Sequence, residues 1–269
     1  MHIKNQIAVI TGASSGIGEA TACALARAGA HVILLARNGN KLQLLAEQIT
    51  ASGGEVSIYP VDITDAKAVA QIGNAIVQEI GIPDILINNA GSGQWKHTED
   101  TNPDEAVDMM AAPYFGAFNI THAFLPHMLK QNWGFIVNVT STAAYFATAG
   151  ATTYATARWA MRGFNASLRG DLHNTDIHVM LLAAGKVNSP YFENNPDSES
   201  RIPKVATLKP FFPILTPEQV AAAIIKGILK NKREIIIPFF MKLTIWFARI
   251  FPRPIEWLIL QTGPKRKKP

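Results

Sequence analysis

Tyr154 and Arg158, in the stretch TTYATARWAMRGF, are the residues whose types and spacing first suggest chemistry. Four apart on a helix, they share a face, so a permanent cation can stand beside a phenol oxygen. A free phenol titrates near pH ~10, too high to pass a proton readily at neutral pH, and a nearby cation lowers that value by stabilising the phenolate. The pair can therefore make a proton donor. Taken alone, the five residues YATAR fit a solvated helix face better, so the choice depends on what the rest of the chain brings to them.

The elements that must position these residues are legible as alternation. IAVIT, HVILLA, VSIYPV, DILIN, GFIVNV and IHVMLL read as strands bounded by Gly, Pro, Asn or Asp. Between them run EATACALARAGA, GNKLQLLAEQITASG, DAKAVAQIGNAIVQEIG, a long helical segment from about Asp104 to Leu129, and the segment carrying YATAR. Strand followed by helix, repeated, implies an α/β chain with a doubly wound parallel sheet covered on both faces. Such sheets bind ligands beyond the carboxyl ends of their strands, where the strand order reverses. After Pro190 comes an irregular stretch, then a capped helix in TPEQVAAAIIKGILKNK and a last strand in REIIIP.

Composition narrows the function classes. The 269 residues are 48% hydrophobic and 17% charged, enough for a full core in one domain. Cys23 is the only cysteine, which excludes an internal disulfide and fits a reducing compartment. The N-terminus MHIKNQIAVIT does not read as a secretory leader, so the expected location is cytoplasmic. The net charge of +5 is partly gathered in the final KRKKP, with no basic repeat interleaved with aromatics, and nucleic acid is not an expected partner. His122 and His127, like His173 and His178, are five apart and miss the i, i+4 face of a helical metal site, so no metal is expected.

The residues just beyond the end of each strand carry most of the functional signal. GASSGIG comes after IAVIT and opens a helix, with Gly12, Gly16 and Gly18 spaced G-x3-G-x-G. Glycines there let the backbone turn tightly, while Ser14, Ser15 and Ile17 bring unpaired N–H groups and the positive end of a helix to a pyrophosphate. At the end of HVILLARN an acidic residue would hold a free ribose 2′-hydroxyl, but Ala36 and Arg37 stand there, which favours NADP(H) over NAD(H). Asp62, next to Ile63 in PVDIT, has two readings: acceptor for an adenine amine, or cap of the next helix. NNAG, with Asn89, Ala90 and Gly91, comes after DILI; Thr140, Ser141 and Thr142 come after FIVNV.

GASSGIG, NNAG, Ser141 thirteen residues before Tyr154, and a cation four residues beyond it together resemble the short-chain dehydrogenase/reductase family, over about Gln6 to Pro238. The resemblance implies a single Rossmann-like domain, residues 1–238, that transfers hydride between a nicotinamide cofactor and a carbonyl or alcohol. It implies that Tyr154 donates the proton and Ser141 holds the carbonyl oxygen. Arg158 would bind the nicotinamide ribose and favour phenolate, Asn89 and its neighbours would line the cofactor, and Val187 with Ser189 would border the nicotinamide amide. Thr140 and Thr142 are rivals to Ser141, disfavoured by register.

Three positions depart from the family pattern. Arg158 stands where the family usually has lysine; it keeps the field but cannot release a proton near neutrality. Pro113, in PYFG, replaces an asparagine whose backbone carbonyl serves the proton relay, and its ring should disrupt the helix locally. Ala184-Gly185 replaces the usual Pro-Gly. The first two leave an alternative open: an NADP(H)-binding protein with weak or no catalysis, acting as a sensor or scaffold.

Tyr191, Phe192, Phe211 and Phe212 fall in the region that closes over substrate in the family and suggest a hydrophobic small-molecule substrate such as a fatty-acyl, steroid-like or other lipid carbonyl. Residues 239–269 form an apolar and basic C-terminal extension, too often interrupted by Lys, Arg and Pro to span a bilayer. Its tryptophans and flanking cations suit peripheral contact with a membrane surface; packing over the cleft or against a second subunit in a homo-oligomer is an equal alternative.

Overall fold

The computed structural model describes residues 2–193, 195 and 198–265. Seven strands form one parallel sheet: β1 (Ile7–Thr11), β2 (His31–Ala36), β3 (Glu55–Pro60), β4 (Ile85–Asn88), β5 (Gly134–Ser141), β6 (Ile177–Ala184) and β7 (Glu234–Ile237). Their order is β3-β2-β1-β4-β5-β6-β7, so the order reverses between β1 and β4 and opens a crevice there. All seven expected strands are present, in a Rossmann-like doubly wound fold.

The helices divide between the two faces by strand alternation. Ala8 and Ile10 of β1 face a core built with α1 (Gly16–Arg27), α2 (Gly39–Ala51) and α7 (Pro217–Leu229). Val9 faces the other core, with α3 (Ala66–Glu79), α5 (Ala117–Gln131) and α6 (Thr152–Asp171). Both faces are buried, which explains the continuous apolar runs in β1, β2 and β4. At 20–33 cal/mol per Å2 of apolar area, each fully buried Leu or Ile contributes on the order of 2 kcal/mol to holding helices on the sheet.

The long helix expected from about Asp104 to Leu129 is interrupted. α4 (Pro103–Met110) passes through a π-helical turn, Ala111–Gly116, before α5 begins. Pro113 lies inside that turn, buried, and its missing N–H and bulky ring account for the widened backbone. Gly116 lies close against Ile63, whose Cδ1 would stand 2.5 Å from an added Cβ and would have to move.

The C-terminal extension forms two short helices, α8 (Phe239–Ile250) and α9 (Pro252–Thr262), broken at Phe251. Met241 and Ile245 of α8 pack on Ala183 and Ile236 at the ends of β6 and β7. Among the described residues, no helix is long and apolar enough to cross a membrane.

Candidate active site

At the crevice between β1 and β4 the chain surrounds a cleft of about 950 Å3. Its floor is the glycine loop. Gly12 and Gly16 take φ values of +64° and +58°, the left-handed region that a side chain disfavours. Gly12, Gly16, Ser14, Ser15 and Ile17 all line the cleft. Gly18 does not; a Cβ on it would lie 2.1 Å from the Gly12 carbonyl oxygen, so its part is to let α1 press against the loop. Ser15 makes no side-chain cap to α1, which leaves first-turn N–H groups for an anion. No residue type but glycine fits at position 18, and the positive end of α1 is open: a dinucleotide's pyrophosphate suits this cradle.

The loop is tied to the NNAG segment through Thr11, a residue that no sequence motif singled out. Its hydroxyl donates to the Ile87 carbonyl (3.2 Å) and accepts from the N–H groups of Asn89 and Ala90, each at 3.0 Å. Asn89 Nδ2 in turn donates to the carbonyls of Thr11 (3.1 Å) and Gly12 (3.4 Å). Asn89, Ala90 and Gly91 line the cleft beside the glycine loop.

At the end of β2, Arg37 lines the cleft with Asn38 and Lys41, a second cation that lies beyond the strand end and gave no sequence signal of its own. Arg37 Nη1 is 4.0 Å from Asp62 Oδ2, with the two side chains 81% and 46% exposed, so the guanidinium remains available to a ligand. Asp62 accepts from the Thr64 N–H (3.0 Å) and hydroxyl (2.8 Å); these bonds, with the Arg37 charge, hold its carboxyl below the usual range against some desolvation. It does not cap α3. Asp65 does that, accepting from the N–H groups of Lys67 and Ala68. Asp62 and Ile63 line the cleft.

Tyr154 and Arg158 are both inside, 8% and 7% exposed, and the solvated-face reading of YATAR is excluded. The guanidinium carbon lies 4.8 Å from the centroid of the Tyr154 ring. Its Nη2 donates to the Ser92 carbonyl (3.2 Å), and a Cβ on Gly91 would be 2.8 Å from Nη1. Arg158 Nε is buried without a hydrogen-bond partner among the described residues. A buried, unpaired donor on a cation is costly unless a bound group accepts from it. The cation thus stands between the phenol ring and the NNAG backbone, where a ribose hydroxyl can reach it.

α6 is held to the end of β5 by several bonds that fix Ser141 relative to Tyr154. Thr140 Oγ1 donates to the Arg158 carbonyl (3.2 Å), Trp159 Nε1 to the Ala143 carbonyl (3.1 Å) and Arg162 Nη1 to the Ala144 carbonyl (3.3 Å). Deeper, Asn138 Nδ2 donates to Asn165 Oδ1 (3.0 Å), and Asn88 Nδ2 donates to Asn138 Oδ1 (2.9 Å) and Thr121 Oγ1 (3.0 Å). This buried polar chain joins β4, β5, α5 and α6. Thr140, Ser141 and Thr142 all line the cleft, but Thr140 is engaged with the Arg158 carbonyl and Thr142 is buried, while Ser141 is half-buried. Ser141 Oγ accepts from the Ala143 N–H (3.2 Å), so its own proton can be donated to a ligand.

The roof comes from residues far away in sequence. Tyr191 Oη donates to the Gly93 carbonyl (2.6 Å), and Trp95 N–H donates to Ser198 Oγ (3.1 Å). Trp95 lies 5.3 Å and Tyr191 6.1 Å, ring to ring, from Tyr154. Burial, with Tyr154 alongside, pushes the Tyr191 phenol well above its ordinary range, so it stays a neutral donor. Lys186 Nζ pairs with Glu199 and pins the start of this segment. Ser189 reaches over the glycine loop, its Cβ 3.3 Å from where a Cβ on Gly16 would be, and Val187 bridges Leu215; both line the cleft. Trp95 was not legible in the sequence because a single tryptophan in a loop gives no periodic signal. Phe192 and Phe212 also line the cleft, whereas Phe211 is exposed and packs on Phe240 at 5.0 Å.

The chain is similar to known proteins over most of its length. Residues 6–200 match the short chain dehydrogenase family. A fatty acyl-CoA reductase of Acinetobacter baylyi is 31% identical over 236 residues, 87% of this chain and 76% of that protein. Dehydrogenase/reductase SDR family member 7B of Bos taurus is 27% identical over 277 residues, 99% of this chain and 84% of that protein. Among solved structures, an alcohol dehydrogenase from the archaeon Thermococcus sibiricus, complexed with 5-hydroxy-NADP, superposes with a TM-score of 0.76 at 26% identity, covering 87% of this chain and 96% of that one.

Proposed function

The chain belongs to the short chain dehydrogenase family, and from that premise we propose that it is an NADP(H)-dependent oxidoreductase interconverting a carbonyl and an alcohol on a hydrophobic, lipid-like small molecule. The observation that carries this reading is that Tyr154, Ser141 and Arg158 line one cleft with the glycine loop, with Arg158 turned inward. A bound nicotinamide coenzyme would supply or accept the hydride. The chain's part is to hold that coenzyme, grip the carbonyl and move one proton.

Gly12, Gly16 and the first turn of α1 would cradle the pyrophosphate, and Arg37 with Lys41 would take the 2′-phosphate. Arg158, which lines the cleft, would bind the ribose through its guanidinium. Ser141 would donate a hydrogen bond to the carbonyl oxygen while Tyr154 gives that oxygen its proton, so that charge developing on oxygen is met by a donor and a proton together. In the oxidative direction Tyr154 takes the proton back. Support for a lipid-like substrate comes from the apolar roof of Trp95, Phe212, Met241 and Ile259, and from the acyl-CoA reductase relative.

Loss of NADPH absorbance with lipophilic aldehydes and ketones, abolished in Tyr154→Phe, is the expected result. Two observations favour a second reading, a nucleotide-binding sensor or scaffold with little or no turnover: Arg158 cannot relay a proton, and Pro113 occupies the π-helical turn beside the cleft. Tight NADPH binding without oxidation across that panel would establish the second reading over the first.

A further inference from the structure

We propose that α8 and α9 dock the protein onto an anionic lipid surface with their outer faces while their inner faces wall the catalytic cleft, so that substrate passes from the lipid into the cleft.

The two helices have two apolar faces each. Inward, Met241 and Thr244 of α8 and Ile255 and Ile259 of α9 line the cleft. Outward, Phe239, Leu243, Trp246 and Ile250 recur on one stripe of α8 and are exposed, Trp246 by 54%. Phe247 extends that stripe, and α9 adds Trp257, 63% exposed, and Leu260. The patch continues onto the preceding segment through Phe211, which meets Phe240 edge to face. An uncovered apolar surface of this extent marks a surface that binds something.

Charge decides what binds. Residues 239–269 hold seven Lys or Arg and one acid, Glu256, whereas residues 1–238 hold 18 Lys or Arg and 19 acids. The entire positive excess of the protein therefore lies in the extension. Lys242, Arg249 and Arg253 are exposed around the aromatic stripe. A second copy of the chain would bring the same cations against themselves, while an anionic headgroup layer complements them and receives tryptophan and phenylalanine at its interfacial depth. Neither helix can cross a bilayer, so the contact is peripheral.

Docking rests on the extension alone, and substrate passage rests in addition on the oxidoreductase reading. The full chain is to be sedimented with phosphatidylserine/phosphatidylcholine vesicles and with phosphatidylcholine vesicles, with and without high salt. Expected are binding to the anionic vesicles that falls with salt, and quenching of tryptophan fluorescence by brominated acyl chains. The variant Trp246→Glu/Phe247→Glu/Trp257→Glu should lose at least tenfold in vesicle partitioning and the quenching, yet retain NADPH binding and oxidation with a water-soluble aldehyde. That retained binding shows the variant is folded. Lys242→Glu/Arg249→Glu/Arg253→Glu should lose the preference for phosphatidylserine. Equal partitioning of parent and aromatic variant overturns docking, as does a parent that stays in the supernatant. A parent dimer that the aromatic variant renders monomeric, with no vesicle binding, assigns the face to a second copy and also overturns it. Vesicle binding without turnover on any carbonyl leaves docking standing and overturns the oxidoreductase reading. Turnover of a vesicle-borne long-chain aldehyde unaffected by the aromatic substitutions overturns lipid entry.

Discussion

The two walls of the cleft are built differently. Around the glycine loop, the proposed coenzyme side, the parts are main chain tied by one short side chain: a glycine with no room for a methyl group, the Thr11 hydroxyl holding two successive N–H groups, a helix end pressed onto a loop. On the proposed substrate side they are side chains reaching across long separations, as in Tyr191 to Gly93 and Trp95 to Ser198. A wall of backbone recognises one ligand shape and tolerates almost no change. A wall of side chains can be retuned one residue at a time, which is where a fold shared by many oxidoreductases acquires a particular substrate.

The sharpest division of labour between the walls should appear at Tyr154. Tyr154→Phe should lower kcat by about 10^2 to 10^4, the range for removing a positioned proton donor. NADPH affinity should stay within about threefold, because the ring and its contacts with Trp95 and Arg158 remain. Stopped-flow and fluorescence titration separate the two quantities. A large loss of NADPH affinity would mean that the phenol belongs to the coenzyme wall.

At Arg37 the expected change is in coenzyme choice. Arg37→Asp should raise the NADPH dissociation constant by about tenfold or more, roughly 1.4 kcal/mol or above, and spare NADH. An unchanged NADPH/NADH ratio would shift the 2′-phosphate to Lys41.

Gly18→Ala breaks the comparison most directly. The added methyl would sit 2.1 Å from a carbonyl oxygen, so the helix must move, costing about 1–3 kcal/mol in stability and weakening nucleotide binding. Tyr191→Phe should do the opposite. It loses one hydrogen bond, about 0.5–1.5 kcal/mol, and raises KM for the carbonyl substrate with NADPH affinity intact. If Gly18→Ala is silent, or Tyr191→Phe weakens NADPH, the two walls are not distinct.

The smallest effect belongs to Asp62. Its carboxyl titrates below the usual value near ~4, so its contribution is complete above that value and is lost as pH falls through its folded pKa. Thermal melts between pH 2 and 7 should show a slightly shallower acid limb for Asp62→Asn, small because the group is half exposed.

How much was legible in the sequence differs by element. The strands, the glycine loop and the end of β2 were readable because each is a local pattern: a short β-branched run bounded by turn residues, G-x3-G-x-G, a charge at a strand end. The π-helical turn was foreshadowed only as a disruption at Pro113, since proline forbids regular helix without dictating the replacement. Asp62 was open between two roles because the next carboxylate that could cap α3, Asp65, stands three residues on, and only coordinates show which one does.

By itself the sequence determined a parallel α/β sheet with a nucleotide loop after its first strand and a phenol with a cation one turn away, because these arise from neighbours along the chain. Tertiary structure decided that Arg158 faces inward beneath Gly91, that Trp95 and Tyr191 close over Tyr154, that Asn88, Asn138 and Asn165 join helix to sheet, and that the extension has an inner face as well as an outer one. The reason is physical. Each depends on contacts between residues tens to about a hundred positions apart, 98 for Tyr191 with Gly93, and such contacts exist only once packing has excluded water and made an unpaired donor or an uncovered ring costly.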